Sequence, residues 1–560
     1  MTRPDPLQHA RNLLAAGELA AAQEECQRQI ALEPDNADAW HLSAQVYLAQ
    51  QQWDDAACQL LSAQALRADP AFGATQREID LAMLSEQGQL LLRAGRVTEA
   101  TRAFEQLVER APERAWAHNN LGTAHMVAGR VERAIELFRK ASALGRPLYQ
   151  AHSSVLMAMT HSDQCTPEAM LAEHRNWAER YTADFAAGAP VIHDADPDRP
   201  IRVGYISPDF RHHPVAMFIG PVLRHHDRRQ VEVTCYDDAM VQDAVKRRLQ
   251  SYGHRWVHSA TMQFEPLFRQ IRDDRIDILV DLAVHSGENR QPLFAAGAAP
   301  IQMTWLGYAG TTGLPAVQYR ITDPIVDPPG LTEAHFTETL LRLPETLWCF
   351  GPFADEPDRP PAPSDAGRVR FGTATRLAKV SPSCLDLWCR LLRRVENATL
   401  TLAAEGLGDD ALRREWLGHF TSRGIAAERI ELLPGREYRD YLRLLGSLDI
   451  GLDTLPFNGG TTVCQTLYMG TPVVALAGQT SVSRVSASVV SNAGLPELIA
   501  ETPEQWIDLN AQLAGDPARR RALHASLRAR MLQSPLCDGS RFTRRLEAVY
   551  RSVFRERCRA

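Results

Sequence analysis

Leu448-Asp-Ile-Gly-Leu-Asp-Thr-Leu-Pro-Phe-Asn-Gly-Gly-Thr-Thr-Val-Cys-Gln-Thr-Leu-Tyr-Met-Gly-Thr-Pro472 reads as a strand, a glycine-rich turn and a short helix. Ile450 to Leu452 carry the apolar signal of a buried strand, and Pro456 and Asn458 break it. Gly459 and Gly460 carry no Cβ, so their backbone can approach a ligand closely. Thr461 or Thr462 is the expected cap of the helix, which Gly470 and Pro472 end. A helix start offers free N–H groups and the positive end of a dipole, which suits a phosphate. An ordinary strand-to-helix turn without a ligand fits the same residues.

Strands recur on both sides of this turn. Val369 to Thr373, Ala398 to Leu402, Ile430 to Leu433 and Val473 to Leu476 are predicted strands with helical stretches between them. Upstream, Ile201 to Ser207, Val231 to Tyr236 and Ile276 to Leu282 repeat the alternation. Polar Asp194 to Pro200 opens that first half. A proline-rich linker at Pro352 to Gly367, with Pro357, Pro360, Pro361 and Pro363, separates the two. Such alternation predicts parallel, doubly wound sheets. Ligands of such sheets bind at the carboxyl ends of the strands, so a cleft between the halves is expected.

The first 150 residues differ: they are rich in alanine and leucine, with almost no strand signal. Gly95 and Gly129 stand 34 residues apart, and Gly88/Gly122, Ala100/Ala134 and Phe104/Phe138 keep the same frame. Pro112 and Pro147 close these units, the second one residue late. Gly17, Ala22 and Pro34, then Trp40, Tyr47, Ala56 and Ala63, supply two earlier units, and an insertion near Asp69 to Gln76 offsets the pairs. The pattern resembles tetratricopeptide repeats, helix pairs that stack into a groove for peptides or proteins. Tyr149 to Ala186 reads as further helix capping the array, with Glu168, Glu173, His174 and Glu179 on a solvated face. The expected organisation is therefore repeats at 1–150, a helical cap and linker at 151–198, and Rossmann-like halves at 199–356 and 357–560, the second binding a nucleotide.

Composition narrows the function. The chain has 560 residues, 45% hydrophobic and 23% charged, with a net charge of −7, so no basic surface points to nucleic acid. Its ten cysteines form no Cys-x-x-Cys pair, which fits free thiols in a reducing compartment. The start of the chain shows no apolar signal core, and no run of about 18 apolar residues occurs, so a cytoplasmic protein without membrane contact is expected.

Several residues could carry chemistry. Lys379 precedes Ser381-Pro382, a cap and first helical residue, where a lysine opposes the helix dipole. It either serves an anion or is a solvated loop lysine. Asp209-Phe-Arg-His-His-Pro214 follows the first strand, and a neutral His212 or His213 there could take a proton or bond a hydroxyl. Capping or surface histidines are the alternative. Asp281 and His285 end another strand toward the same space. Trp305-Leu-Gly-Tyr-Ala-Gly-Thr-Thr-Gly313 is a second glycine-rich turn, a ligand loop or a plain one. No set of residues stands at metal-ligand spacing.

Together with the repeats, Ile206 to Pro214, Asp281 to His285, Trp305 to Gly313, Lys379 and Asp453 to Thr462 resemble the O-linked N-acetylglucosamine transferase family, especially its bacterial members, over essentially the whole chain. The resemblance implies a two-Rossmann-domain glycosyltransferase fold of the B type and a UDP-sugar donor, UDP-GlcNAc, used without a metal or other cofactor. It also implies inverting transfer of GlcNAc to Ser/Thr hydroxyls of a protein or peptide held in the repeat groove. By this likeness His213 lines the active site, Lys379 meets the donor diphosphate, and Thr461 and Thr462 follow Gly460 onto the same diphosphate. Gly310 lies near the sugar, and Tyr441 lies beside the uracil. His285 faces the donor, and Gln465 stands where a carboxylate often contacts the ribose. Related branches imply other outcomes, protein O-fucosyl or N-glucosyl transfer, and a non-catalytic repeat scaffold is the third reading.

Overall fold

Repeat spacing in the sequence becomes packing in the computed structural model, which describes residues 5–144, 149–185, 188, 190–353 and 367–559. Most of the proline-rich linker, including Pro357, Pro360, Pro361 and Pro363, lies outside the described residues, as do Pro147 and Ala186. The chain divides into two compact units, Met1–Leu121 and Gly122–Ala560, so the boundary falls inside the predicted repeat array and not at its end.

In the first unit, helices Gln8–Ala15, Leu19–Leu32, Ala37–Ala49, Trp53–Leu66, Pro70–Arg93 and Val97–Arg110 follow one another. Gly17 and Gly95 turn the chain between helices at φ 77° and 73°, a region that favours glycine. A Cβ on Gly88 would lie 2.4 Å from the Phe104 ring, so the small residue is there to seat the large one. Ala22, Ala56 and Ala100 are fully buried at the matching positions. The insertion is absorbed by lengthening one helix, Pro70–Arg93, to 24 residues. Asp69 caps it by accepting the Ala71 N–H, and Pro70 fits the first turn, where no N–H is needed.

The second unit continues the same frame. Gly122 faces Phe138 as Gly88 faces Phe104, and Gly129 adopts φ 81°. Helices Tyr149–Met159 and Pro167–Thr182 follow, as expected of a cap. Glu168 and Glu179 are exposed. His174 is not on a solvated face: it is fully buried, with Tyr308 as its partner.

Next come β1 (Ile201–Ser207), β2 (Val231–Asp237), β3 (Arg255–His258), β4 (Ile278–Asp281), β5 (Ile301–Thr304), β6 (Tyr319–Thr322) and β7 (Thr339–Arg342). They form one parallel sheet in the order β3-β2-β1-β4-β5-β6-β7. A second parallel sheet holds β8 (Val369–Ala374), β9 (Ala398–Ala404), β10 (Ile430–Pro434) and β11 (Ile450–Gly451) in the order β10-β9-β8-β11. Gly451 bridges Val473, just ahead of the short pair β12 (Ala475–Leu476) and β13 (Ile499–Ala500). The α/β class with N-terminal helical repeats is therefore as expected. Strands β3 and β7 carry no apolar signal because both are edge strands with partly exposed side chains. Among the described residues no helix is long and apolar enough to cross a membrane.

Both sheets reverse strand order at one point, between β1 and β4 in the first and between β8 and β11 in the second. The crevice outside the carboxyl ends at such a point is where doubly wound sheets bind ligands. The four chain segments leaving those ends carry Asp209 to His213, Ala283 to His285, Arg376 to Lys379 and Asp453 to Thr461.

Candidate active site

His213 ends the first of these segments and starts helix Pro214–His225. Its Nδ1 accepts the Val215 N–H at 3.3 Å, so it caps the helix as well as facing the crevice. Burial, and then the charge of Arg211, lowers its pKa to about 4, so the ring is neutral near pH 7. With Nδ1 accepting, a neutral ring carries its hydrogen on Nε2 and offers a donor there. Asp209 Oδ1 lies 3.5 Å from Nδ1, and burial raises the pKa of that carboxyl. His212 is exposed, and its ring packs on Phe353 (centroids 4.6 Å apart) and on Tyr438 from the second half (5.2 Å).

Across the crevice, Lys379 sits in the short 3₁₀ turn Leu377–Lys379. Ser381 caps the following helix, Pro382–Arg394, by accepting the Cys384 N–H, as its sequence predicts. Lys379 Nζ lies 4.2 Å above the Phe457 ring, and His161 from the helical cap stacks on that ring at 4.5 Å. A parallel bridge between Val380 and Leu455 ties this turn to the glycine-rich loop. Burial, and then the charge of Arg376, lowers the Lys379 pKa to about 8, with Asp453 opposing them. The amine is thus held where its charge is poorly compensated, as an anion-binding lysine would be.

Helix Gly460–Tyr468 begins beside it, with Gly459 as N-cap and no side-chain cap. Thr461 and Thr462 are therefore residues of the first turn and not its cap, which corrects the expectation. By helix geometry the first-turn N–H groups have no intrahelical acceptor, so they face the crevice with a positive dipole end. Asp453 supports the loop by accepting the Gly459 N–H at 2.7 Å. Gly460 is small for a different reason from the one expected. A Cβ there would lie 2.4 Å from the Trp348 ring and 2.8 Å from Val485, so protein, not ligand, fills that side.

Three further residues have partners within the protein. Gln465 is buried, and its Oε1 accepts the Tyr441 hydroxyl at 2.8 Å. Its Nε2 approaches Met217 Sδ at 3.6 Å and the Tyr438 hydroxyl at 3.5 Å, so its amide joins the two halves. Tyr441 lies half-buried over the second sheet's core, its hydroxyl also 3.4 Å from Thr462 Oγ1. His285 does not face the crevice. It is buried, with Nε2 bonded to the Thr312 carbonyl at 3.1 Å and Nδ1 3.3 Å from Ser153 Oγ. Asp281 is likewise internal, accepting the Ala283 and Val284 N–H groups at 2.8 and 3.0 Å, and burial lifts its pKa to about 6.

The turn containing Gly310 is held by residues that local sequence does not reveal. Glu338 accepts the Thr311 hydroxyl at 2.6 Å and the Thr312 N–H at 2.7 Å. Arg320 donates to the Tyr308 and Gly310 carbonyls, both at 3.1 Å. His174 pairs with the Tyr308 hydroxyl at 2.8 Å, and Gly313, at φ 75°, packs against the backbone of His174. Gly310 itself lines a cavity of about 90 Å³ with Met159, Met170, Phe336, Pro456 and Ser481. Among the described residues, no group of three or more His, Cys, Asp or Glu side chains is arranged to hold a metal.

Two parallel, doubly wound sheets in succession, each reversing its strand order once, form the α/β architecture of a glycosyltransferase of the B type. The chain matches the model of glycosyl transferase family 41 over residues 143–353 and 362–546, and that of the tetratricopeptide repeat over 7–71 and 85–146. It belongs to glycosyl transferase family 41 and carries tetratricopeptide repeats. It is 35% identical over 409 residues to a barley (Hordeum vulgare) protein named probable UDP-N-acetylglucosamine--peptide N-acetylglucosaminyltransferase SPINDLY, covering 72% of this chain and 43% of that protein. It is 30% identical over 389 residues to the Arabidopsis thaliana protein of the same activity name called SEC, covering 66% and 39%. The chain thus matches less than half the length of these curated relatives. A solved structure of a Thermobaculum terrenum O-GlcNAc transferase mutant is similar at 33% identity and a TM-score of 0.77, covering 99% of this chain and 97% of that one.

Proposed function

We propose that the protein transfers GlcNAc from UDP-GlcNAc to serine or threonine hydroxyls of proteins, with inversion at the anomeric carbon and without a metal. The observation that carries this reading is the pairing of Lys379 with the uncapped start of helix Gly460–Tyr468 at the reversal point of the second sheet. A nucleoside diphosphate is already a good leaving group. What it needs is stabilisation of the charge that develops as it leaves, and a lysine and a helix dipole supply that. The name of the barley protein carries the same donor and a peptide acceptor, and that of the Thermobaculum protein the same O-linked sugar. His213, as a neutral Nε2–H donor, orients an oxygen of the sugar or acceptor more readily than it removes a proton. The repeats select the protein acceptor. Among the described residues the ten cysteines form no disulfide, which supports a reducing, cytoplasmic setting.

Calorimetry of the purified chain with UDP and with GDP, in EDTA, followed by mass spectrometry of a peptide incubated with UDP-GlcNAc, tests this. UDP binding and a GlcNAc mass increment are expected. Preference for GDP would replace the donor, and binding of neither would leave the repeats as a scaffold.

A further inference from the structure

The turn at 305–313 leaves β5 and lies against Ala283 to His285, the segment that leaves β4 at the crevice. The backbone is strained at that crossing. Leu306 stands at φ 71° and Val284, on the neighbouring segment, at φ 53°, a region that penalises any residue with a Cβ and a β-branched one most. A Cβ on Gly307 would run into the Leu282 carbonyl oxygen, so the two segments cross at backbone contact. Strain of this kind persists only where the surrounding structure over-determines it.

Part of that hold comes from the helical cap. His174, fully buried in helix Pro167–Thr182, donates from Nδ1 to the Met170 carbonyl at 2.6 Å. A carbonyl can only accept, and burial lowers the His174 pKa to about 4, so the ring is neutral and its Nε2 is an acceptor. The Tyr308 hydroxyl, 2.8 Å away, therefore donates to it, with the Leu156 carbonyl of the cap 3.3 Å from the same hydroxyl. The Tyr308 ring lies against Gly310, where a Cβ would meet it at 2.7 Å. Gly310 in turn lines a cavity with Pro456 of the glycine-rich loop, so a shift of this turn reaches both halves.

We propose that His174 is a positioning residue for sugar transfer: through the Tyr308 hydroxyl the helical cap fixes the turn at 305–313 beside the crevice, and with it the geometry in which donor and acceptor meet. This rests on the transferase reading above and deepens it, because it makes the cap behind the repeats part of the reaction geometry.

The test compares Tyr308→Phe, His174→Asn and His174→Gln in the full chain. Tyr308→Phe removes only the hydroxyl. Asparagine keeps a donor for Met170 but is too short for Tyr308, whereas glutamine places an acceptor near the position of Nε2. For each variant kcat with UDP-GlcNAc and a peptide, UDP affinity by calorimetry and melting temperature are measured. Tyr308→Phe and His174→Asn should lower kcat by about 10- to 100-fold, the range for a small misplacement of reacting groups, with UDP affinity within about twofold of the parent. Glutamine should recover much of the loss. A residue that only supports the fold would lower the melting temperature and leave kcat per UDP-binding site unchanged, and that result overturns the proposal. So does an equal loss in the asparagine and glutamine variants, or a loss of UDP affinity that matches the loss of kcat. In all three cases the parent still transfers GlcNAc and the transferase reading survives. A parent that neither binds UDP nor transfers sugar would sink both.

Discussion

Lys379 combines a position against the glycine-rich loop with an amine whose pKa burial has lowered to about 8. A lysine is charged below its pKa, so its stabilisation of the leaving diphosphate is present below about 8 and lost as pH rises through it. His213, lowered to about 4, stays neutral over the same range. With UDP-GlcNAc as variable substrate, kcat/KM should therefore be level from about pH 5.5 to 7.5 and decline above 8, since kcat/KM reports groups of the free enzyme. Lys379→Ala should lower turnover by about 10²–10³, roughly 3–4 kcal/mol of transition-state stabilisation, and abolish the alkaline decline. Steady-state rates of parent and variant across this range decide it. Near-normal turnover, or a variant that keeps the same alkaline limb, would remove the lysine from the mechanism.

At the next level up, helix Gly460–Tyr468 shows packing fixing the residue at a helix start. Gly460 abuts Trp348, and that indole is itself pressed against Phe218 with centroids 4.5 Å apart, so it has little room to yield. Gly460→Ala should cost about 1–3 kcal/mol, the usual range for overpacking, and weaken UDP by displacing the helix start. Gly418 is the control. It lies exposed within helix Asp410–Thr421 with nothing near its missing Cβ, so Gly418→Ala should stabilise by about 0.5–1 kcal/mol. Thermal melts with and without UDP measure both, and equal shifts in the two variants would refute the packing account. This helix also shows what local sequence can carry. Its strand, turn and end were legible because each depends on neighbours within a few residues. That Trp348 dictates glycine at 460, that Gln465 reaches Met217, and that His285 turns inward to Thr312 and Ser153 depend on residues over a hundred positions away or on another element. A histidine at a strand end carries no local mark of which way it faces.

Over the whole molecule, the 34-residue frame made the repeats legible, because Gly88/Phe104 and Gly122/Phe138 encode the same local fit. The frame could not show where the array stops being a separate body. The last repeat belongs to the second compact unit because its hydrophobic face is shared: Val131, Ala134, Ile135 and Phe138 form one core cluster with Val155, Ala158, Met159 and Ala378. Ala378 immediately precedes Lys379. The turn at Gly129 is also fixed to the second half, where Ala128 accepts the Trp416 indole N–H at 3.1 Å and Arg130 pairs with Glu415. A Cβ on Gly129 would meet that indole at 2.6 Å. Removing residues up to Glu113 keeps helix Ala115–Val127 and this cluster whole, whereas removing residues 1–150 strips four large or tightly packed side chains from behind the lysine turn. Exposing that much core costs several kcal/mol, a large share of a domain's total stability. The shorter deletion should keep UDP affinity within about twofold and still glycosylate a short peptide, while losing preference among proteins. The longer one should lose UDP binding together with its cooperative melt. If the 151–560 fragment binds UDP as the full chain does, the last repeat is dispensable to the lysine turn, and the shared core has no bearing on the site.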